Sequence, residues 1–187
     1  MCFTHSKGFV RRCVFLVALL LFSLVPITQG AEEGGIEITQ ILVSPNDAEH
    51  NGTDWNGDGY IDKESDQYIM ITNTGSEIVD ISDWILDDIT TGGSPSCRIG
   101  WNTSIAAGES ITFYRSNTHI ELDYWDGDTA TLMNKEGELI DSMSYPGEDS
   151  WYGKVYTVLE NGTLWKDDPT PAARQGTCFT QSDNTES

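Results

Sequence analysis

Basic residues are scarce in this 187-residue chain: ten lysines and arginines stand against thirty aspartates and glutamates. Three of the ten, Lys7, Arg11 and Arg12, fall in the first thirty residues, which carry no acid. Residues 31–187 therefore hold seven basic against thirty acidic groups, a formal net charge of −23. Such a surface repels polyanions, so neither nucleic acid nor anionic lipid is expected as a partner. Histidine is as sparse: beyond the leader only His50 and His119 remain, far apart, and no His/Cys cluster has zinc spacing. No G-x-S-x-G elbow occurs, since Gly92-Gly93-Ser94-Pro95-Ser96 ends in serine, and no glycine-rich loop leads to a phosphate-binding lysine. Adjacent carboxylates such as Asp87-Asp88 and Asp167-Asp168 read as solvated turns in so acidic a chain, because a glycosidase needs its two carboxyls at a set separation in a cleft. The expectation is a non-catalytic protein.

Long apolar runs are missing except at the start. There, Lys7, Arg11 and Arg12 precede the run from Cys13 to Val25, Pro26 ends it, and Thr28-Gln29-Gly30 places small residues where a signal peptidase reads. Residues 1–30 are expected to be a cleaved signal peptide, with an uncleaved anchor as the alternative; the run is shorter than the ~20 residues that comfortably span a bilayer. No stable membrane insertion is expected, and the location is expected to be extracellular or at the cell surface. Residues 31–35 read as a flexible lead, 36–178 as the folded domain, and 179–187 as a disordered tail.

Helical periodicity is also missing. What is present is a series of short extended segments bounded by Gly, Asn, Asp and Pro. Ile36–Val43 supplies a first strand, with Ile36, Ile38, Ile41 and Val43 facing inward. Tyr68–Asp88 reads as strand, turn and strand about Asn73-Thr74-Gly75-Ser76, with Ile69, Ile71, Ile81, Trp84 and Leu86 as core. Strands follow at 98–101 and 110–115, a hairpin at 128–145 turns at Asn134–Gly137, and a further strand is expected at 154–159. Pro169-Thr170-Pro171 is read as the end of compact structure. This pattern points to an antiparallel all-β sandwich or barrel.

Cys97 and Cys178 are the only cysteines after the leader. Outside the cytosol an even pair suggests one disulfide, the alternative being two thiols. Three sequons, at Asn51, Asn102 and Asn161, lie in polar stretches and make the chain a candidate glycoprotein.

As a set, these segments resemble the lamin-tail domain in its secreted prokaryotic form. IEITQILVSP resembles the family's opening strand, QYIMITNTG with VDISDWILDD its central signature, IAAGESITFYR the next turn and strand, and GDTATLMNKEGELIDSMSY its final hairpin. Trp165 and Asp168–Pro171 resemble the closing segment, so the likeness runs from about Ile36 to Gly176. Members often carry Glu where Gln40 stands, and acidic residues where Gln67 and Met70 stand. The resemblance implies an immunoglobulin-like β-sandwich of the kind found beside secreted hydrolases and nucleases or in surface proteins, where it mediates interaction or tethering.

The sharpest local motif is Asp54-Trp55-Asn56-Gly57-Asp58-Gly59-Tyr60-Ile61-Asp62, which matches the first nine positions of an EF-hand-type calcium loop. Asp54, Asn56 and Asp58 place oxygens at alternate positions, Tyr60 offers its carbonyl, and Asp62 binds directly or through water. The twelfth position is Ser65, flanked by Glu64 and Asp66, of which Asp66 is taken as the candidate ligand. Calcium with a structural role is the expected cofactor; the alternative is a loop closed by Asx turns. Trp55, Trp101, Trp125, Trp151 and Trp165 sit in or beside loops, where they either plug the ends of the sandwich or stack on sugar rings. The expected function is an interaction module for an unknown protein or surface component. The second reading is a calcium-assisted carbohydrate-binding module that uses the loop tryptophans on a surface glycan.

Overall fold

The computed structural model describes residues 35–88, 94–147 and 152–179. The signal-peptide reading, most of the lead, Gly92-Gly93, Trp151 and residues 180–187 lie outside these. Among the described residues no helix is long and apolar enough to cross a membrane.

The described residues form an antiparallel two-sheet sandwich. One sheet orders β11-β10-β1-β2-β7, where β1 is Ile36–Leu42, β2 Tyr68–Asn73, β7 Ser110–Tyr114, β10 Val155–Val158 and β11 Leu164–Asp167. The other orders β12-β5-β4-β8-β9, where β4 is Ile85–Asp88, β5 Cys97–Ile99, β8 Gly127–Met133, β9 Leu139–Pro146 and β12 Cys178–Phe179. A short ribbon pairs β3 (Val79–Asp80) with β6 (Ser104–Ile105). Among the described residues there is one α-helix, α1, a single turn at Arg115–Thr118.

The core lies between the sheets. Ile36, Ile38, Ile41, Val43, Ile69, Ile71, Ile111 and Phe113 meet Leu86, Ile99, Leu132, Met143 and Tyr145 there. In β1, the inward residues switch from even to odd positions because the register with β2 slips between Ile38 and Gln40. That bulge at Thr39 turns both halves of an imperfectly alternating strand toward one core. Strand β2 is buried on both faces. Its odd residues face the core, while Tyr68 and Met70 join Leu42, Tyr114 and Val155 in a second cluster covered by Trp55 and Ala172. The long acidic connection and the C-terminal segment therefore share the task of roofing the outer face of this sheet; Gln175 Nε2 donates to the Asn56 carbonyl at 2.8 Å.

Two expectations are corrected. Tyr68–Asp88 is not a hairpin: β2 and β4 lie in different sheets, and the chain crosses between them. Asn73 directs the crossing, its side-chain amide donating to the Glu77 and Ile105 carbonyls at 2.7 and 2.8 Å. Trp84 is half-buried against the core rather than inside it. The second correction is at the C-terminus, where ordered packing continues past Pro171. Thr112 N donates to Arg174 O and Gly176 N to Thr112 O. Gly176 presses on the Phe113 ring so closely that an added Cβ would lie 2.1 Å from it. The folded domain thus includes Phe179, which pairs with Arg98. In the same strand, β12, Cys178 is bonded to Cys97, with Cα atoms 5.3 Å apart.

Candidate functional site

The 46–66 connection folds by directing its carboxylates at its own backbone. Asp54 accepts from the N–H groups of Gly57, Asp58 and Gly59 at 2.7–3.1 Å. Asn56 Oδ1 accepts from Asp58 N, and Asp58 from Tyr60 N. Asp62 accepts from Glu64 N and Ser65 N, and these bonds hold its carboxyl below the usual carboxylate range. Asp66, at 0% exposure, accepts from Trp55, Asn56 and Asp62 N–H at 2.9–3.0 Å. Burial pushes its carboxyl up, while those donors pull it back. Asp54, Asn56, Asp58, Tyr60, Asp62 and Asp66 are therefore neighbours in one loop of hard oxygen donors, the chemistry a calcium ion takes. The side-chain oxygens of Asp54, Asn56, Asp58 and Asp66, and Oδ1 of Asp62, accept from N–H groups of the loop, and among the described residues no three His, Cys, Asp or Glu side chains are grouped to hold a metal ion.

The end of this connection forms one wall of a cleft of about 810 Å³ at the end of the sandwich. Its other walls come from the exit of β1, Ser94-Pro95, α1 with its cap His119, the 121–125 connection, and Tyr152. Buried Gln67 ties these pieces together. Its Nε2 donates to the Val43 and Leu122 carbonyls at 2.6 and 3.2 Å, and its Oε1 accepts from Leu122 N at 3.4 Å. A carboxylate here would have no hydrogen to give those carbonyls, which accounts for an amide at this position. Gln40 is similar: it donates to Thr170 Oγ1 and accepts from the Tyr68 hydroxyl. Arg115 reaches Glu121 at 2.5 Å and Glu64 at 3.6 Å, linking two walls of the cleft.

The tryptophans separate in this geometry. Trp55 roofs the second cluster and is half-buried. Trp101 packs beside Phe179, with ring centroids 5.5 Å apart, next to the disulfide-linked strand. Trp165 lies exposed on β11. Trp125 alone of the described tryptophans lines the cleft, 59% exposed, and it is held in place. Asp123 Oδ1 accepts from Trp125 N and Asp126 N at 2.7 and 3.1 Å, and the Tyr124 ring lies 4.7 Å away. Gln67, Arg115, Glu121, Tyr124 and Tyr152 were not picked out as site residues by sequence reading, because the cleft gathers segments distant along the chain. The three sequon asparagines are all exposed.

A search of the curated proteins finds no match. The Lamin Tail Domain family, by contrast, matches residues 29–147. The matched span covers β1 to β9 and stops short of the closing segment around Trp165, although β10, β11 and β12 complete both sheets. With well over half its length in that match and an antiparallel, immunoglobulin-like sandwich as its fold, the chain belongs to the lamin-tail-domain family.

Proposed function

We propose that this lamin-tail module is a non-catalytic, secreted or cell-surface protein that works by binding a protein or other surface component in its end cleft. The observation that carries this reading is Trp125, a large aromatic held exposed in a concave site by the Asp123 turn and the Tyr124 ring. Fixed, exposed aromatics in clefts are the usual anchors of recognition, because they contribute contact area with little loss of side-chain freedom. The disulfide supports a location outside the cytoplasm, and the basic, apolar leader supports export. The test is retention of a partner from solubilised native cell-surface extract. Wild type and Trp165→Ala should retain the same component, and Trp125→Ala should lose it; equal retention by all three would show that the partner is not bound through Trp125 in the cleft.

The Asp54–Asp62 loop is proposed to take calcium in a structural role. Its alternating oxygen donors support this, as do five carboxylates between residues 54 and 66 that repel one another without a counterion. Because the loop is already closed by its own hydrogen bonds, calcium adds stability rather than creating the fold. With a Kd of about 10⁻⁴ M, typical of extracellular modules, ~10 mM calcium would add about 2.7 kcal/mol and raise Tm by roughly 5–10 °C over EDTA. Asp58→Ala should abolish the rise while melting near the EDTA value of wild type. An unchanged Tm on adding calcium to the EDTA-treated protein would refute the metal.

A further inference from the structure

We propose that the ligand of the end cleft is a neutral oligosaccharide, an inference that rests on the cleft being the binding site. The first ground is charge. Residues 31–187 carry −23, yet the cleft lining holds Lys63 and Arg115 against Glu64, Glu121 and Asp123, a net −1. Two of the seven basic residues of that span are concentrated in this one place, and Arg115 is paired with both glutamates. The cleft is less acidic than the span's average, so it offers a cationic ligand no special attraction, and an anionic ligand is repelled by the molecule as a whole. The site is thus locally balanced within an acidic protein and matches an uncharged ligand.

The second ground is the combination of groups. A pyranose has an apolar C–H face and a rim of hydroxyls. Its C–H groups carry slight positive charge and suit the negative face of an aromatic ring, and Trp125 and Tyr152 both line the cleft as exposed aromatics. Its hydroxyls each need a donor and an acceptor, and the Arg115–Glu121 pair, Glu64 and His119 supply planar groups of both kinds. The volume, about 810 Å³, lies within the ~300–1,000 Å³ of small-ligand clefts and suits a short saccharide segment. Asp123 is a positioning residue here: its carboxylate holds the backbone of Trp125.

The test is titration of the full folded protein with neutral linear oligosaccharides of glucose, mannose and N-acetylglucosamine. An oligogalacturonate and an oligo-lysine peptide serve as charged probes. At least one neutral saccharide should bind, quenching Trp125 fluorescence. Trp125→Ala should weaken binding by about tenfold or more, Trp125→Tyr should restore most of it, and Trp165→Ala, an exposed tryptophan away from the cleft, should leave it unchanged, all with unaltered melting. Failure of every neutral saccharide, tighter binding of either charged probe, or binding that survives Trp125→Ala would overturn the proposal. The two readings fail separately. If a surface component is retained through Trp125 while no saccharide binds, the ligand class is wrong and the cleft stands. If retention ignores Trp125, the cleft itself is wrong.

Discussion

Removing the Cys97–Cys178 bond, by reduction or as Cys97→Ala/Cys178→Ala, should cost about 4.5 kcal/mol by loop-closure entropy. The bond spans 81 residues of sequence, so its loss frees a long loop in the unfolded chain. Domains of this size have roughly 5–15 kcal/mol in total, so the variant should unfold at a much lower denaturant concentration. The native state also has reason to suffer locally. Strand β12 is two residues long and sits at a sheet edge, and what holds it otherwise is its pairing with β5 and the Trp101–Phe179 contact. With the bond gone, protection should fall first at Cys178 and Phe179 and next at Gly176, whose packing covers Phe113. A loss below about 1 kcal/mol in chemical denaturation would mean that the bond constrains little and that the denatured chain is already compact.

Asp66→Ala should cost about 3 kcal/mol in calcium-free buffer, more than any change at Asp54, Asp58 or Asp62. Asp66 is fully buried, and its two oxygens satisfy the N–H groups of Trp55, Asn56 and Asp62. Alanine orphans all three, and each buried orphan costs about 1–3 kcal/mol unless water reaches it. The damage spreads because Trp55, which roofs Tyr68, Met70 and Tyr114, is positioned by one of those bonds. Asp66→Asn keeps the oxygen that serves Trp55 and Asn56 and should lose about half as much. The direction with pH follows from burial, which raises the folded carboxyl above 3.8. The raised value makes Asp66 most favourable to folding below its unfolded pKa, and this share is lost as pH rises through the folded one. The advantage of wild type over Asp66→Ala should therefore be larger at pH 4 than at pH 7. Chemical denaturation at the two pH values checks it; an Asp66→Ala protein as stable as wild type would show that water satisfies these groups.

Much of the fold was legible locally. The β8–β9 hairpin follows from alternating runs around Asn134–Gly137, whose turn closes through Asn134 N to Glu138 O and Gly137 N to Asn134 O. Partner choice was not legible. The residues at 78–81 read as the return strand of β2, but whether an extended segment pairs with its neighbour or crosses to the other sheet depends on Asn73 meeting the Ile105 carbonyl, a contact set by tertiary structure. The roofing role of Trp55 was hidden for the same reason, since its neighbours Leu42, Tyr114 and Val155 lie far away in sequence. The same loop shows why a motif can be read for two purposes: oxygens at alternate positions suit a cation, and they equally suit the N–H groups two to five residues on. Of the cleft's aromatics, only Trp125 carried a local signal, a tryptophan in a polar loop stretch, Asp123-Tyr124-Trp125-Asp126. Gln67 was noticed as a departure from the family's acidic residue, and its meaning emerged only with the Val43 and Leu122 carbonyls in view.

Binding through the end cleft can be read out most directly by hydrogen exchange on the complex recovered from native surface extract. Added protection is expected at residues 63–67 and 119–125, with the 98–101 and 164–167 segments unchanged. Protection confined to those latter segments, leaving the cleft residues exchanging as in the free protein, would contradict it.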